Sequence, residues 1–113
     1  MHPRVPLVVD VAQTAGLLSV SAERWHAAAV CFTGHKGLLG PQGIGGIVWH
    51  PEFAHRTRPL VEGGTGSFSH EERHPSVLPD KFEAGTPNLP GIAGLEGALA
   101  WIESQGKEAI SRR

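Results

Sequence analysis

Short apolar runs, each closed by a proline, a glycine or a charged residue, set the rhythm of the chain. Residues Val5 to Val9 form a run rich in β-branched side chains that delivers Asp10 at its end, and its length predicts a buried strand rather than a helix. Ala27 to Thr33, AAAVCFT, repeat the pattern and run into Gly34. A third run, Ile44 to Trp49, IGGIVW, is stopped at Pro51. Three short buried strands with irregular or helical connections predict a slice of an α/β sheet.

Between Glu62 and Pro87 the pattern disappears. EGGTGSFSHEERHPSVLP is polar, rich in glycine and proline and without a period, which predicts a long functional loop. A helix follows: Asn88 can cap it, Pro90 falls in its first turn and Gly106 stops it. Ile92, Leu95, Leu99 and Ile102 share one face, which predicts packing on the sheet. Gly91, Gly94 and Gly97 lower helix propensity and predict close approach to a neighbour instead. Trp25, Trp49 and Trp101 are expected in the core or at an interface, PEFAHRTRP as a solvated turn, and KEAISRR as the start of another helix.

Composition narrows the classes. With 113 residues the chain is one domain or part of one, and ten basic residues against eleven acidic ones offer no field for nucleic acid or a membrane surface. No apolar run approaches the roughly 20 residues that cross a bilayer. The single cysteine, Cys31, excludes an internal disulfide framework and predicts a cytoplasmic setting. Within the run AVCFT it is expected to be a small buried hydrophobe.

The candidate chemistry lies beside the strand ends. Asp10 at the end of one strand and Lys36 after another can converge on the same edge of an α/β sheet, where such folds bind ligands. Thr33 and His35 add donors beside the lysine, and the glycines of TGHKGLLGPQGIGG free backbone N–H groups to face an anion. An amine, a cluster of donors for a phosphate and a carboxylate are what pyridoxal phosphate needs. A nucleotide P-loop is disfavoured, because GxxxxGK[ST] is missing. His70 to His74, HEERH, match the zinc-protease pattern, but that pattern needs a stable helix; GTGSFS and Pro75 flank it, predicting a solvated loop and no metal.

Four stretches in this order and spacing, DVAQTAG, TGHKGLLGPQGIGG, EGGTGS and KFEAGTPNLPGIAGL, resemble the class V aminotransferase family in its cysteine desulfurase-like branch. The resemblance implies part of the large cofactor-binding domain of a fold-type I pyridoxal phosphate enzyme, a mainly parallel sheet flanked by helices. It implies that Lys36 is the Schiff-base lysine, that Asp10 pairs with the pyridine nitrogen and that Gln13 faces the phenolic oxygen. Thr33 and His35 match the family's phosphate-binding residues. Thr65 matches the residue that reaches the phosphate of the partner subunit's cofactor, so a homodimer with a shared site is implied. The implied reaction converts L-cysteine to L-alanine and an enzyme persulfide, with a sulfur-acceptor protein as a possible partner.

Two departures accompany the resemblance. Lys81 stands where the family motif has arginine, and a lysine cannot reproduce a planar bidentate contact, so a weakened ion pair is expected there. Residues 1–113 also resemble only a central part of the family's chain. The ring-stacking residue is expected before Met1, and the substrate-carboxylate arginine, the sulfur-accepting cysteine and the small domain after Arg113, so the piece alone is expected to be inactive. Transamination or selenocysteine lyase chemistry remains an alternative, as does a noncatalytic remnant or interaction module.

Overall fold

A computed structural model describes residues 5–64 and 75–106. They fall into two compact units, one formed by the chain up to His50 and from Asn88 onward, the other by Pro51–Pro87.

The first unit is built on a three-stranded sheet in the order β1 (Val8–Asp10), β2 (Ala29–Thr33), β3 (Gly45–Trp49). Strands β1 and β2 are parallel, with Asp10 opposite Cys31, and the ladder continues through Val11 N–H to the Cys31 carbonyl at 2.8 Å. Strand β3 is antiparallel to β2, with Thr33 opposite Gly45. The α/β class therefore holds with a mixed sheet. The eleven residues between β2 and β3 hold no helix, and a crossover needs a dozen residues or more, so the chain can return only antiparallel.

Register sorts the side chains by face. Val9, Val30 and Phe32 fall on one face, and with Val11, Ala15, Ala22, Ala27 and Leu38 they make the core of the unit. Val11 and Val30 are almost wholly buried, worth about 1.5–3 kcal/mol each. Asp10, Cys31 and Thr33 alternate onto the opposite face. Within the strands only Ala29 and Val30 of β2 are buried: Val8 is 53 % exposed, Ile47 45 % and Val48 52 %, because little packs on the sheet among the described residues. Cys31 is half-buried for the same reason, not sealed.

Helix α2 (Leu89–Gln105) begins and ends where its caps predict. Asn88 Oδ1 accepts from Gly91 N–H at 3.0 Å, Pro90 lies in the first turn, and Gly106 closes the helix at φ 79°. Its packing differs from the expectation. Ile102 is buried but Ile92 is 46 % exposed, and the helix rests on the β2–β3 loop rather than on the sheet, with Leu95 against Gly34 and Gly40. Gly94 meets the Pro41 ring and Gly91 the Asn88 side chain, whereas Gly97 meets nothing within 4 Å. Trp25 and Trp101 are exposed, so neither is a core residue of the unit.

In the second unit PEFAHR forms a short helix, α1 (Pro51–Arg56), in place of the expected turn. Pro51 has its φ preset for the first position, and Glu52 at the start with His55 and Arg56 at the end oppose the helix dipole. Within the expected long loop, Asp80–Phe82 form a single 3₁₀ turn. The HEERH run and the KEAISRR tail lie outside the described residues. Among the described residues no helix is long and apolar enough to cross a membrane.

The helix glycines give opposite predictions. Gly97→Ala should stabilise the protein by about 0.5–1 kcal/mol through helix propensity, since its methyl enters open space. Gly94→Ala should destabilise it, because the methyl lands 2.8 Å from the Pro41 ring. Urea titration of both variants checks the pair, and equal shifts would contradict the packing of α2 on the loop.

Candidate active site

The parallel pairing of β1 and β2 puts both carboxyl ends at one edge of the sheet. Asp10 is the last residue of β1 and Thr33 the last of β2, two residues beyond the partner of Asp10 and on the same face. Strand rise separates them along the sheet by roughly 7 Å. The sequence expectation of convergence at one edge is thus met by register.

Beyond the strands, two loops are held against each other by backbone. Gly16 sits at φ 87°, and a Cβ there would collide with the Gly37 carbonyl; a Cβ on Gly37 would collide with the Ala15 carbonyl. Side chains at either position would force the loops apart. The loop that follows Asp10 and contains Gln13 therefore touches the residue next to Lys36. The core fixes the same loops from below, since Val11 and Ala15 from one and Leu38 from the other enter one cluster.

The polar groups are individually oriented. Asp10 Oδ1 accepts from Ala12 N–H at 2.8 Å, an Asx-type bond that sets the carboxylate at the strand end and leaves Oδ2 for a second partner. Thr33 Oγ1 lies 2.9 Å from His35 Nδ1. If the hydroxyl donates, Nε2–H of a neutral imidazole points away as a donor; if Nδ1–H donates, the hydroxyl keeps its own proton for an outside acceptor. Either tautomer leaves the pair with one outward donor. Lys36 and Gln13 are exposed, and Lys36 starts a turn closed by Leu39 N–H to its carbonyl at 2.9 Å. Leu39, the last residue of that turn, takes φ 58°, a strained value for a leucine that sequence reading did not anticipate.

The lysine loop is also tied at its far end. Gly34 N–H donates to the Ile44 carbonyl and Gly40 N–H to the Gly34 carbonyl, both at 2.8 Å. Asn88 Nδ2 donates to the Gly43 carbonyl at 3.1 Å while its Oδ1 caps α2, so one side chain joins the helix start to the loop. Five of the six expected residues, Asp10, Gln13, Thr33, His35 and Lys36, are thus brought to one region. Thr65, the sixth, lies outside the described residues. The donor set fits a phosphorylated aldehyde with a ring nitrogen: an accessible amine, a hydroxyl–imidazole pair, an amide, and a carboxylate with one oxygen already anchored.

Lys81 behaves differently from its expectation. It is 9 % exposed and its Nζ donates to the Ala54 and His55 carbonyls at 2.7 and 3.0 Å, so its partners among the described residues are backbone carbonyls. A compact ammonium meets two converging carbonyls without the planar fork of arginine.

The family model Aminotransferase class-V matches residues 2–113. A Pyrococcus abyssi protein named "Probable cysteine desulfurase" is 38 % identical over 109 residues, covering 94 % of this chain and 27 % of that protein. The apo structure of a cysteine desulfurase from Thermococcus onnurineus NA1 matches with a TM-score of 0.80 and 36 % identity, covering 96 % of this chain and 28 % of that one. A cysteine desulfurase structure from Escherichia coli matches at 0.76 and 29 % identity, covering 93 % and 27 %. The chain spans about a quarter of the length of the relatives it matches.

Asn88 offers a test of how the lysine loop is held. Asn88→Ala should cost about 1–2 kcal/mol, combining a lost cap with a lost tether. Asn88→Asp keeps the cap oxygen but sets a carboxylate against the Gly43 carbonyl. It should therefore destabilise too, and stability equal to the parent by thermal melting would show that the tether contributes nothing.

Proposed function

The chain belongs to the aminotransferase class-V family, and from that premise we propose that it is the lysine-bearing part of a pyridoxal phosphate-dependent cysteine desulfurase. Its α/β fold is that of fold-type I enzymes, and the relatives named above support the reaction. One observation carries the reading: Asp10, the Thr33–His35 pair and the Lys36 loop share one sheet edge, held together by the Gly16–Gly37 contact.

Each residue has a task in that reading. Lys36 would hold the cofactor through its amine and, with the substrate amine in its place, would move the proton at the substrate Cα as general base and acid. Asp10, anchored through Oδ1, accepts the ring N–H through Oδ2. Gln13 donates its amide to the phenolic oxygen. The outward donor of the Thr33–His35 pair binds phosphate. Thr65 serves the phosphate in the second subunit of a homodimer. Bound pyridoxal phosphate supplies the electron sink that stabilises the charge left at Cα.

Residues 1–113 contribute part of the large domain, and the groups that grip the substrate carboxylate and accept the sulfur belong to other parts of the polypeptide. The short coverage of the relatives supports this division. The substrate is L-cysteine, the products L-alanine and a persulfide passed to an acceptor protein, and the setting the cytoplasm. Cys31, in the middle of β2, is not the sulfur acceptor.

Borohydride reduction of the cofactor-loaded, full-length protein followed by peptide mapping should find the pyridoxyl group on Lys36. Lys36→Ala should lower alanine formation from L-cysteine by at least about 10²-fold. A pyridoxyl group on another lysine sinks the assignment, and a keto acid product instead of alanine with persulfide turns the reading toward transamination.

A further inference from the structure

Gly34 is the hinge between two groups of the site. It separates Thr33, the last residue of β2, from His35, and the 2.9 Å contact of Thr33 Oγ1 with His35 Nδ1 spans it. A glycine reaches more backbone conformations than any other residue, so by itself it gives that contact little support. Whatever holds Gly34 decides whether the hydroxyl and the imidazole meet.

Gly34 is buried, and both of its backbone groups are bonded. Its N–H donates to the Ile44 carbonyl and its carbonyl accepts from Gly40 N–H, each at 2.8 Å. The space beside its Cα is filled as well: a Cβ there would lie 2.7 Å from Ile44 Cγ2 and 3.4 Å from Leu95 Cδ1. A Cβ on Gly40 would lie 2.9 Å from the same Leu95 methyl and 3.4 Å from the Leu95 Cα. One side chain of α2 thus covers both partners of the Gly40–Gly34 bond, which closes the loop carrying His35 and Lys36. Leu95 is half-buried by this contact, whereas Leu99, one turn further along α2, is exposed. The other contacts of α2 with the loop fall farther from the site, Gly94 on Pro41 and Asn88 on the Gly43 carbonyl.

We propose that Leu95 is a positioning residue for the Thr33–His35 pair: by packing on Gly34 and Gly40 it removes the freedom of the hinge and so aims the outward donor of the pair at the cofactor phosphate. The proposal rests on the phosphate role given to that pair above. Lys36 has a restraint of its own, because the next residue, Gly37, packs on the Ala15 carbonyl. His35 adjoins the hinge directly, so loosening Leu95 reaches the phosphate donors before it reaches the amine.

The test uses the full-length polypeptide and two ligands, pyridoxal phosphate and pyridoxal, which has the ring and aldehyde without the phosphate. Equilibrium dialysis gives both dissociation constants, and their ratio reads the grip on phosphate alone. Leu95→Ala should lower that ratio about tenfold, the size of one hydrogen bond to a charged group, and leave pyridoxal binding within about twofold of the parent. Leu95→Met, which conserves volume, should restore the ratio to within about twofold. His35→Ala should lower it at least as far as Leu95→Ala, and Leu99→Ala should leave it unchanged.

Equal weakening of both ligands by Leu95→Ala makes Leu95 a general brace of the fold and overturns the positioning role. A parent-like ratio in Leu95→Ala beside a lowered one in His35→Ala overturns it too, and leaves the phosphate role of the pair intact. So does a ratio lowered as far by Leu99→Ala, which would move the effect from Leu95 to the helix as a whole. A parent-like ratio in His35→Ala overturns the reading of the pair, and the role of Leu95 with it. Should Leu95→Ala not fold, Leu95→Val, which loses the reach of the Cδ1 methyl, is measured in its place against the same outcomes.

Discussion

Two glycines in contact decide whether this site exists. Gly16 and Gly37 belong to loops that leave different strands; a Cβ on Gly16 would need the space of the Gly37 carbonyl, and a Cβ on Gly37 that of the Ala15 carbonyl. Through that contact the loop after Asp10 and the loop of Lys36 lie side by side, and the Val11–Ala15–Leu38 cluster holds them from beneath. Catalytic constellations need positional tolerances of well under an ångström, which loops reach only when their backbones are trapped. Close packing of backbone on backbone is a stiff way to trap them, because there are no side-chain rotamers to relax.

How much of this was legible depended on the range of the interaction. The strands, the caps of α2 and the convergence of Asp10 with Lys36 follow from local pattern plus one rule about strand ends, and all are present. The glycines of the lysine loop read as conformational freedom. In the structure Gly16 and Gly37 serve close approach, a property that depends on a partner elsewhere in the chain. The direction of β3 was equally hidden in composition, although the eleven-residue connection carried it. The apolar stripe on α2 misled because a loop, not a sheet, lies beneath the helix. A loop covers less area, so Ile92 and Leu99 stay exposed.

Lys81 and Asn88 show why polar residues are hard to read from a chain alone. Each satisfies backbone groups far away in sequence, Lys81 at Ala54 and His55, Asn88 at Gly43. A residue-type argument expects lysine to seek carboxylates and treats its replacement of arginine as a loss. A buried cation at a helix end is equally well served by carbonyls that have nothing else to bond. Among the described residues the Lys81 side chain is held by these two carbonyls.

The face that carries Asp10 and Thr33 also carries exposed Val8 and Ile47, and this links the strength of the chemistry to what covers that face. Two unit charges 4 Å apart attract by about 1 kcal/mol in water and about 4 kcal/mol at an effective dielectric of 20. Asp10, exposed among the described residues, has its geometry set by the Ala12 N–H, but a water-facing carboxylate attracts a cationic partner only weakly. Apolar side chains around it are what a covering layer of polypeptide would bury, and the same layer would lower the dielectric at the carboxylate. Burial of Val8 and Ile47 and strengthening of any charge interaction at Asp10 are therefore one event. The residues described fix where the groups stand, and the covering of this face fixes how strongly they act.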